Sequence, residues 1–210
     1  MGSELTGELK TIHAQTHTVY DRVASTFDAQ RLKTLFEKPW LDRFLAKLPD
    51  RPKVLDLGCG TGKPIAKYLV EQGAKLTGVD YAPSMLEIAR KRFPDHMWIE
   101  GDMRALALAG QYDGVISWHG FFHLDQSEQR QSLPRLATYV RPGGALMLTV
   151  GPREGEGSGK VGGQPVYHAS LDPEEYRKIL TEAGFGAITI AIEDPGCDRS
   201  SIVLATNKKS

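Results

Sequence analysis

The 210-residue chain has the size and composition of one globular domain, with 40% hydrophobic and 25% charged residues. Its 26 basic and 26 acidic residues give a formal net charge of zero. This balance argues against nucleic acid as the main partner, because phosphate binding usually brings a basic surplus. No apolar run reaches the ~20 residues that a membrane-spanning helix needs. We therefore expect neither a nucleic-acid nor a membrane partner.

The cysteine content and the N-terminus both predict a cytoplasmic protein. Cys59 and Cys197 are too few for a disulfide scaffold or a cysteine-based zinc site, and free thiols fit a reducing compartment. The first residues lack the basic start and the apolar core of a secretory signal. Since no cluster of side chains has convincing metal-ligand spacing, no required metal is expected.

The first 50 residues are predicted to be helical. Apolar residues recur on one face of residues 11–27 and at every third or fourth position of residues 32–48, with Pro39 marking a break. We therefore divide this single-domain chain into an N-terminal helical cap, residues 1–50, and a second segment, residues 51–210.

Short strands then alternate with helices of about ten residues, which is typical of a parallel sheet with helices on both faces. Five strands are predicted at residues 53–57, 75–79, 97–100, 112–117 and 145–150, and a closing antiparallel hairpin at 187–192 and 202–206. Residues 141–144 are predicted to be a turn. Residues 151–163, with six glycines, are expected to form either a lid or a loose hairpin.

The strongest motif follows the first strand, where Gly58, Gly60 and Gly62 alternate with other residues before a helix. Glycines at this position let the backbone turn tightly and approach a ligand. Asp80 ends the second strand about 20 residues later, at the spacing typical of a carboxylate that accepts ribose hydroxyls. The alternative is a structural tight turn, with Asp80 capping the next helix.

Two other nucleotide-binding patterns fit this motif less well. A Walker phosphate loop is excluded because Pro64 follows Lys63. A dinucleotide-binding fold, and with it a nicotinamide-dependent oxidoreductase, is the second hypothesis. The glycine spacing disfavours it, and the carboxylate of Asp56, two residues before the first glycine, would repel a pyrophosphate. The same carboxylate suits a cation or an ammonium group.

Four segments in this order resemble the signatures of class I S-adenosylmethionine-dependent methyltransferases: residues 54–62, 78–80, 100–103 and 141–144. Residues 20–24 are similar to a segment of the branch that methylates small molecules, such as the ubiquinone and menaquinone methyltransferases. The resemblance covers about Tyr20 to the C-terminus. It implies a three-layer, doubly wound α/β fold with a seven-stranded, mostly parallel Rossmann-like sheet and an antiparallel last strand.

The resemblance also implies S-adenosylmethionine as the cofactor and assigns residues to it. The three glycines would lie along its methionine part, Asp56 would face its ammonium group and Asp80 its ribose. Further cofactor contacts are implied for Tyr81, Met85, Asp102 and Met103 around the adenine, and for Ser117 near the methionine end. Met85 fits the core of its helix equally well, and a turn is the alternative for Asp102.

The methyl acceptor is expected where the fourth and fifth strands end, beside the glycine loop. There Trp118 would either narrow the pocket or pack in the core, since the family usually has a smaller residue at this position. His119 is the best-placed general base, and His168, preceded by Tyr167, is a second candidate for acceptor contact and catalysis. A structural hydrogen bond is the alternative for His119, and a place in the turn before the next helix is the alternative for His168. A structural role is preferred for His123.

In this family the N-terminal helices cover the pocket, so Tyr20, Phe27, Arg31 and Trp40 are candidates to face it. The alternative is burial on the helix's own apolar face, which is preferred for Phe27 and Trp40. Tyr20 is preferred for a cofactor or substrate contact. The sequence thus predicts methyl transfer from S-adenosylmethionine to a small-molecule acceptor by in-line displacement. Alternatives are the oxidoreductase and a non-catalytic protein that binds an adenosyl cofactor. Both a monomer and a homodimer fit the sequence.

Overall fold

The structure is a computed structural model that describes residues 7–30 and 34–209. In these ranges the helices are α1 (Gly7–Gln30), α2 (Lys38–Leu45), α3 (Ile65–Glu71), α4 (Pro83–Arg92), α5 (Gln126–Thr138) and α6 (Pro173–Glu182). The strands are β1 (Lys53–Leu57), β2 (Lys75–Asp80), β3 (Met97–Glu100), β4 (Tyr112–Ser117), β5 (Val140–Val150), β6 (Gly155–Val161), β7 (Gln164–Ser170), β8 (Phe185–Asp194) and β9 (Ser200–Lys208). Of the described helices, none combines the length and the apolar character needed to span a bilayer.

Seven strands form one sheet in the order β3-β2-β1-β4-β5-β9-β8. The first five strands in this order run parallel to one another, whereas β9 runs antiparallel to both β5 and β8. The predicted seven-stranded, mostly parallel sheet is confirmed. Because the strand order reverses its direction between β1 and β4, a crevice opens at the carboxyl ends of these two strands.

The sheet is the middle of three layers. Alternate residues of β1 point to opposite faces and enter two separate cores. Val54 packs in the core that holds Leu69 of α3, and Leu55 packs in the core that holds Leu133 of α5. All four side chains are fully buried. Both faces of the central strand are therefore covered, which fixes the position of the loop that follows it.

The second N-terminal helix packs against the sheet and does not cover the crevice. The sequence predicts a helix over residues 32–48, but α2 has only 8 residues. Trp40 and Phe44 lie in the core with no more than 1% of their surface exposed. Trp40 also donates from Nε1 to Oδ2 of Asp194 at 2.8 Å. Trp40 therefore lies in the core, as the preferred interpretation of its position predicts, and not in the pocket. Arg31 lies outside the described residues.

The glycine-rich segment after β5 forms an ordered hairpin in which β6 and β7 pair antiparallel. Thr16 of α1 accepts a hydrogen bond on Oγ1 from the backbone amide of Tyr167 at 2.9 Å. On the other side, Gln129 of α5 donates to the carbonyl of Ala169 at 2.9 Å. The expectation of a loose hairpin is wrong, because α1 and α5 both hold β7. Its action as a lid stays a prediction.

The predicted turn at residues 141–144 is part of β5, and the pairing of β5 with β4 is irregular there. The closing hairpin is longer than predicted, because β8 and β9 pair from Phe185 and Lys208 onward. Both differences arise because pairing with a neighbouring strand extends elements past the residues whose local pattern favours a strand.

Helix α2 rests directly on the backbone of β4 at Gly114. A Cβ atom added there would lie 2.4 Å from Cζ of Phe44 and 2.8 Å from Cδ1 of Leu48. We expect Gly114→Ala to lower the free energy of unfolding by about 1–3 kcal/mol, because overpacking displaces the neighbouring side chains. Urea denaturation measures this change.

Gly157→Ala is the matched control, because no atom lies within 4 Å of a Cβ added at that position. Its free energy of unfolding should stay within about 0.5 kcal/mol of wild type. Equal stability of the two variants would contradict the packing of α2 on β4.

Candidate functional site

A cavity of about 370 Å³ lies at the carboxyl ends of β1 and β4. This volume is in the range of small-molecule sites, and the position is the one expected for a ligand in an open α/β sheet. The glycine loop after β1 and the end of β2 form one side, and the segments after β3 and β4 form another. Helix α1 and Val161 of the hairpin complete the lining.

Most of the predicted site residues line this cavity. Those that line it are Tyr20, Asp56, Gly58, Gly60, Asp80, Tyr81, Met85, Asp102, Met103, Trp118, His119 and His168. Phe27, a candidate to face the pocket, also lines it. Gly62, Ser117 and Tyr167 do not belong to the lining.

The glycine loop has the left-handed backbone that its sequence predicts. Gly58 and Gly60 have φ angles of 72° and 53°, a region where residues with a Cβ are strained. A Cβ on Gly58 would lie 3.1 Å from the Cα of Gly120, so the loop after β1 and the segment after β4 approach backbone to backbone. Gly62 does not line the cavity, and its Cβ position is 3.0 Å from the ring of Phe93. Its contact with a cofactor stays a prediction.

Asp80 ties the glycine loop to the start of α4. Its Oδ2 accepts from the backbone amide of Gly60 at 2.7 Å, and its Oδ1 accepts from that of Ala82 at 2.9 Å. Burial raises the pKa of Asp80 above its usual range, although these amides oppose the shift. Each carboxylate oxygen has two lone pairs, so Asp80 can hold the loop and also accept hydrogen bonds from a ligand in the cavity.

Asp56 carries a buried carboxylate at the base of the cavity. Its side chain is 2% exposed, and its Oδ2 has no hydrogen-bond partner among the described residues. Burial, and then the nearby charge of Asp80, raise its pKa to about 7. A buried carboxylate without a partner is unfavourable. The site is therefore suited to a ligand that brings a positive charge to Asp56.

Asp102 belongs to a chain of charged groups that sequence reasoning missed. Arg104 donates from Nε and Nη2 to Asp102 at 2.9 Å and 2.6 Å, and from Nη1 to Glu128 at 2.6 Å. Glu128 accepts in turn from Nε2 of His13 on α1 at 2.9 Å. Against the effect of burial, the hydrogen bonds from Arg104 hold the pKa of Asp102 below its usual range. The hydrogen bond to Glu128 raises the pKa of His13.

The same cluster includes the side-chain types of a metal site. His13, Asp125 and Glu128 offer ligand atoms that lie within 4.8 Å of one another. The guanidinium of Arg104, however, is bound to Glu128 and would repel a cation placed there. Asp125 and Glu128 also bind each other's backbone amides as a capping box of α5. These contacts explain the cluster without a metal.

The segment after β4 supplies an aromatic wall. Trp118 is 5% exposed, and its ring lies 5.7 Å from that of His119. His119 has a φ of 56°, which is strained for a residue with a side chain. Its backbone amide donates to Oγ1 of Thr149 at 2.7 Å, so β5 holds the strained residue in place. Ser117 is fully buried and donates to the carbonyl of Leu57 at 2.8 Å, so its hydroxyl supports the sheet.

His123 and His168 lie close together between the aromatic wall after β4 and the hairpin of β6 and β7. The ring of His168 lies 5.1 Å from that of His123 and 4.8 Å from that of Phe122. Burial lowers the pKa of His168. Gly159 makes room for this ring, because a Cβ there would lie 2.6 Å from Cε1 of His168. Tyr167 points the other way and is fully buried, so its predicted contact with an acceptor is wrong.

Two acidic residues of α1 bind the elements on the glycine-loop side of the cavity. Asp21 accepts from the backbone amide of Ser84 at 2.9 Å, at the start of α4. Asp28 accepts from both Nη atoms of Arg92 at 2.9 Å and 2.8 Å, and from Oγ1 of Thr61 in the glycine loop at 2.6 Å. These partners are distant in sequence, and no local pattern signals the pairing.

Comparison with known proteins gives a match to the segment that carries the glycine loop and most of the cavity lining. Residues 54–144 match a family model described as a methyltransferase domain. Trans-aconitate 2-methyltransferase of Azoarcus sp. (strain BH72) is 36% identical over 131 residues, which are 58% of this chain and 49% of that protein. Malonyl-(acyl-carrier protein) O-methyltransferase of Paenibacillus sp. (strain JDR-2) is 26% identical over 196 residues, 83% of this chain and 68% of that protein. The chain thus spans about half the length of the first relative and two thirds of the second.

Solved structures share the fold. S-adenosylmethionine-bound CalS10, an amino pentose methyltransferase from Micromonospora echinaspora, has a TM-score of 0.65 and is 19% identical, covering 99% of both chains. At this identity the likeness concerns the fold alone. The sequence relatives, the family match and the glycine loop at the switch point of the sheet agree. Residues 54–144 are therefore similar to methyltransferase domains, in agreement with the resemblance that the sequence motifs carry.

Proposed function

We propose that this protein transfers a methyl group from S-adenosylmethionine to a small-molecule acceptor. The observation that carries the proposal is the unpartnered, buried carboxylate of Asp56 beside the glycine loop. S-adenosylmethionine has a primary ammonium group that would satisfy this carboxylate, and it supplies a methyl group on a sulfonium. A nicotinamide dinucleotide brings a pyrophosphate, which Asp56 would repel.

The remaining lining residues suit the adenosine part of the same molecule. Asp80 keeps lone pairs for the ribose hydroxyls while it holds Gly60. Asp102 is held ionised by Arg104, so it can accept from an adenine amino group. Met85 is 1% exposed and packs with α1, whereas Tyr81 is 45% exposed and lies 4.5 Å from the ring of His17. We assign Tyr81 and Met85 to the adenine and the backbone of Met103 to its ring nitrogens.

The acceptor side would act mainly by positioning and by excluding water, since in-line displacement needs alignment of the reacting atoms. Trp118, His119 and Tyr20 enclose this side together with His168. Because burial lowers the pKa of His168, its imidazole is neutral at physiological pH and able to take a proton from an acceptor. We propose His119 and His168 as the candidate bases for acceptors that lose a proton.

Several features support a small, free acceptor in the cytoplasm. The cavity is the size of a small-molecule site, and the first-named relative is a trans-aconitate methyltransferase. Cys59 and Cys197 are both buried free thiols, as a reducing compartment allows. Whether the protein acts as a monomer or a homodimer stays open within this proposal.

Calorimetry with S-adenosylmethionine, S-adenosylhomocysteine and NADH tests the cofactor. We expect the two adenosyl ligands to bind and NADH not to bind. Asp80→Ala should weaken both adenosyl ligands by more than about tenfold, because it removes a charged hydrogen-bond partner. Asp95→Ala, which alters an exposed aspartate, should bind like wild type. Binding of NADH alone would contradict the proposal, and adenosyl binding without turnover across a broad acceptor panel would favour a non-catalytic protein.

Asp56→Asn should affect stability and ligand binding in opposite directions. Asp56 titrates near 3.8 when unfolded and at about 7 in the folded, ligand-free protein. The folded state therefore binds the extra proton, and the free energy of unfolding falls as pH rises from 4 to 7. The raised pKa of Asp56 lowers the free energy of unfolding by at most about 4 kcal/mol as this group loses its proton. At pH 8 we expect the ligand-free variant to be more stable than wild type, and near pH 4 equally stable.

The same variant should bind S-adenosylhomocysteine more weakly, because the amide has no charge for the ligand's ammonium group. Thermal unfolding with and without this ligand at pH 5 and pH 8 measures both effects. Asp95→Asn provides the matched control and should change neither. A ligand-free Asp56→Asn protein that is less stable than wild type at pH 8 would rule out an unpartnered charge at Asp56.

A further inference from the structure

His123 sits between α1 and the hairpin and contacts both with its ring nitrogens. Its Nδ1 lies 2.7 Å from the carbonyl oxygen of Tyr167, and its Nε2 lies 2.8 Å from the hydroxyl of Tyr20. A carbonyl oxygen only accepts hydrogen bonds, so Nδ1 must carry a proton. In the neutral ring Nε2 then has no proton and can only accept. The Tyr20 hydroxyl must therefore donate its proton to His123.

The surroundings keep His123 neutral. Burial lowers its pKa to about 3, and the nearby rings of His168, His119 and His13 add no negative charge. Glu128, the carboxylate that pairs with His13, is also bound to Arg104. His123 consequently makes a poor base for the reaction. It remains a fixed hydrogen-bond acceptor across the physiological pH range.

Tyr20 belongs to the part of the cavity lining that α1 provides. The ring of Phe27, 5.9 Å from that of Tyr20, is 3.9 Å from the Cβ position of Gly60. Tyr20 and His123 both line the cavity. With its only proton directed at His123, the Tyr20 oxygen can make any further hydrogen bond only by accepting. A ligand group next to it must bring the proton.

We propose that His123 is a positioning residue that turns the Tyr20 hydroxyl into an obligatory hydrogen-bond acceptor, so that the site selects methyl acceptors bearing an O–H or N–H group. This inference rests on the proposed methyl transfer, since it names the acceptor class of the same cavity. A nucleophile without hydrogen, such as a carboxylate or halide, would place its lone pairs against those of Tyr20. Two unshared acceptor atoms in a desolvated site repel each other.

The first test needs neither cofactor nor acceptor. Long-range ¹H–¹⁵N NMR of the labelled protein reports the protonation and the tautomer of each histidine. We expect His123 to remain neutral with its proton on Nδ1 from pH 5 to pH 8. Tyr20→Phe should shift the Nε2 resonance of His123 and leave the tautomer unchanged, because the Tyr167 carbonyl still fixes Nδ1. A protonated His123, or a proton on Nε2, would overturn the inference.

The second test measures selectivity with phenol and its methyl ether, anisole, which differ in the donor hydrogen. Each is titrated by NMR into protein saturated with S-adenosylhomocysteine. We expect phenol to bind wild type about fivefold more tightly than anisole. Tyr20→Phe should remove this ratio, and Tyr112→Phe, at the far end of β4, should keep it. No phenol binding to wild type, or an unchanged ratio in Tyr20→Phe, would count against the inference.

Variants of His123 separate positioning from simple support of the fold. His123→Leu removes the acceptor, so the Tyr20 proton can turn into the cavity and the phenol-to-anisole ratio should approach one. His123→Gln offers an amide oxygen near the place of Nε2 and should restore much of the ratio. If both variants fold and keep the wild-type ratio, His123 does not position Tyr20. Failure of wild type to bind S-adenosylhomocysteine would instead contradict the proposed function, and the NMR tautomer test would still stand.

Discussion

The hydrogen bonds of one carboxylate, Asp80, hold the parts of the site together. Asp80 ends β2, yet it accepts from the amide of Gly60 in the loop after β1 and from the amide of Ala82 at the start of α4. The two amides come from different βα units. The glycine loop can therefore keep its left-handed turns only while β1 and β2 are in parallel register. The cavity, the position of its acidic residues and the surface on which α1 packs all depend on this arrangement.

Helix α1, which lines the cavity, is attached to the rest of the protein by many polar contacts. Helix α1 buries only Thr16, Val19 and Ala24 within its described residues. Beside a small apolar cluster with Met85, its links to the rest of the protein are hydrogen bonds and ion pairs made by Asp28, Tyr20 and other side chains. An element with few buried apolar contacts opens at a lower free energy than the core. This property would suit the proposed methyl transfer, in which the cavity has to admit both a cofactor and an acceptor.

The charges of the cavity are divided between its two sides. On the proposed cofactor side Oδ2 of Asp56 has no hydrogen-bond partner among the described residues, whereas Asp102 is neutralised by Arg104. On the acceptor side, the rings of His123 and His168 have lowered pKa values and bring no charge at neutral pH. A carboxylate close to the sulfonium would stabilise the cofactor more than the transition state, in which that charge disappears. Neutral aromatic and imidazole groups avoid this loss of rate.

The layered fold could be predicted from the sequence, and so could the contact between the glycine loop and Asp80. Alternating strands and helices predict the parallel sheet, and the spacing of Gly58, Gly60 and Asp80 is local enough to predict their meeting at the ends of adjacent strands. The tertiary structure alone decided the rest. His13 and Glu128 are 115 residues apart, and Tyr20 and His123 are 103 apart. Such pairs depend on how α1 and the hairpin dock onto the sheet, and no periodicity or motif records that docking. For the same reason Tyr167 and Trp40, plausible contacts by pattern, are turned into the protein by packing that only the folded chain defines.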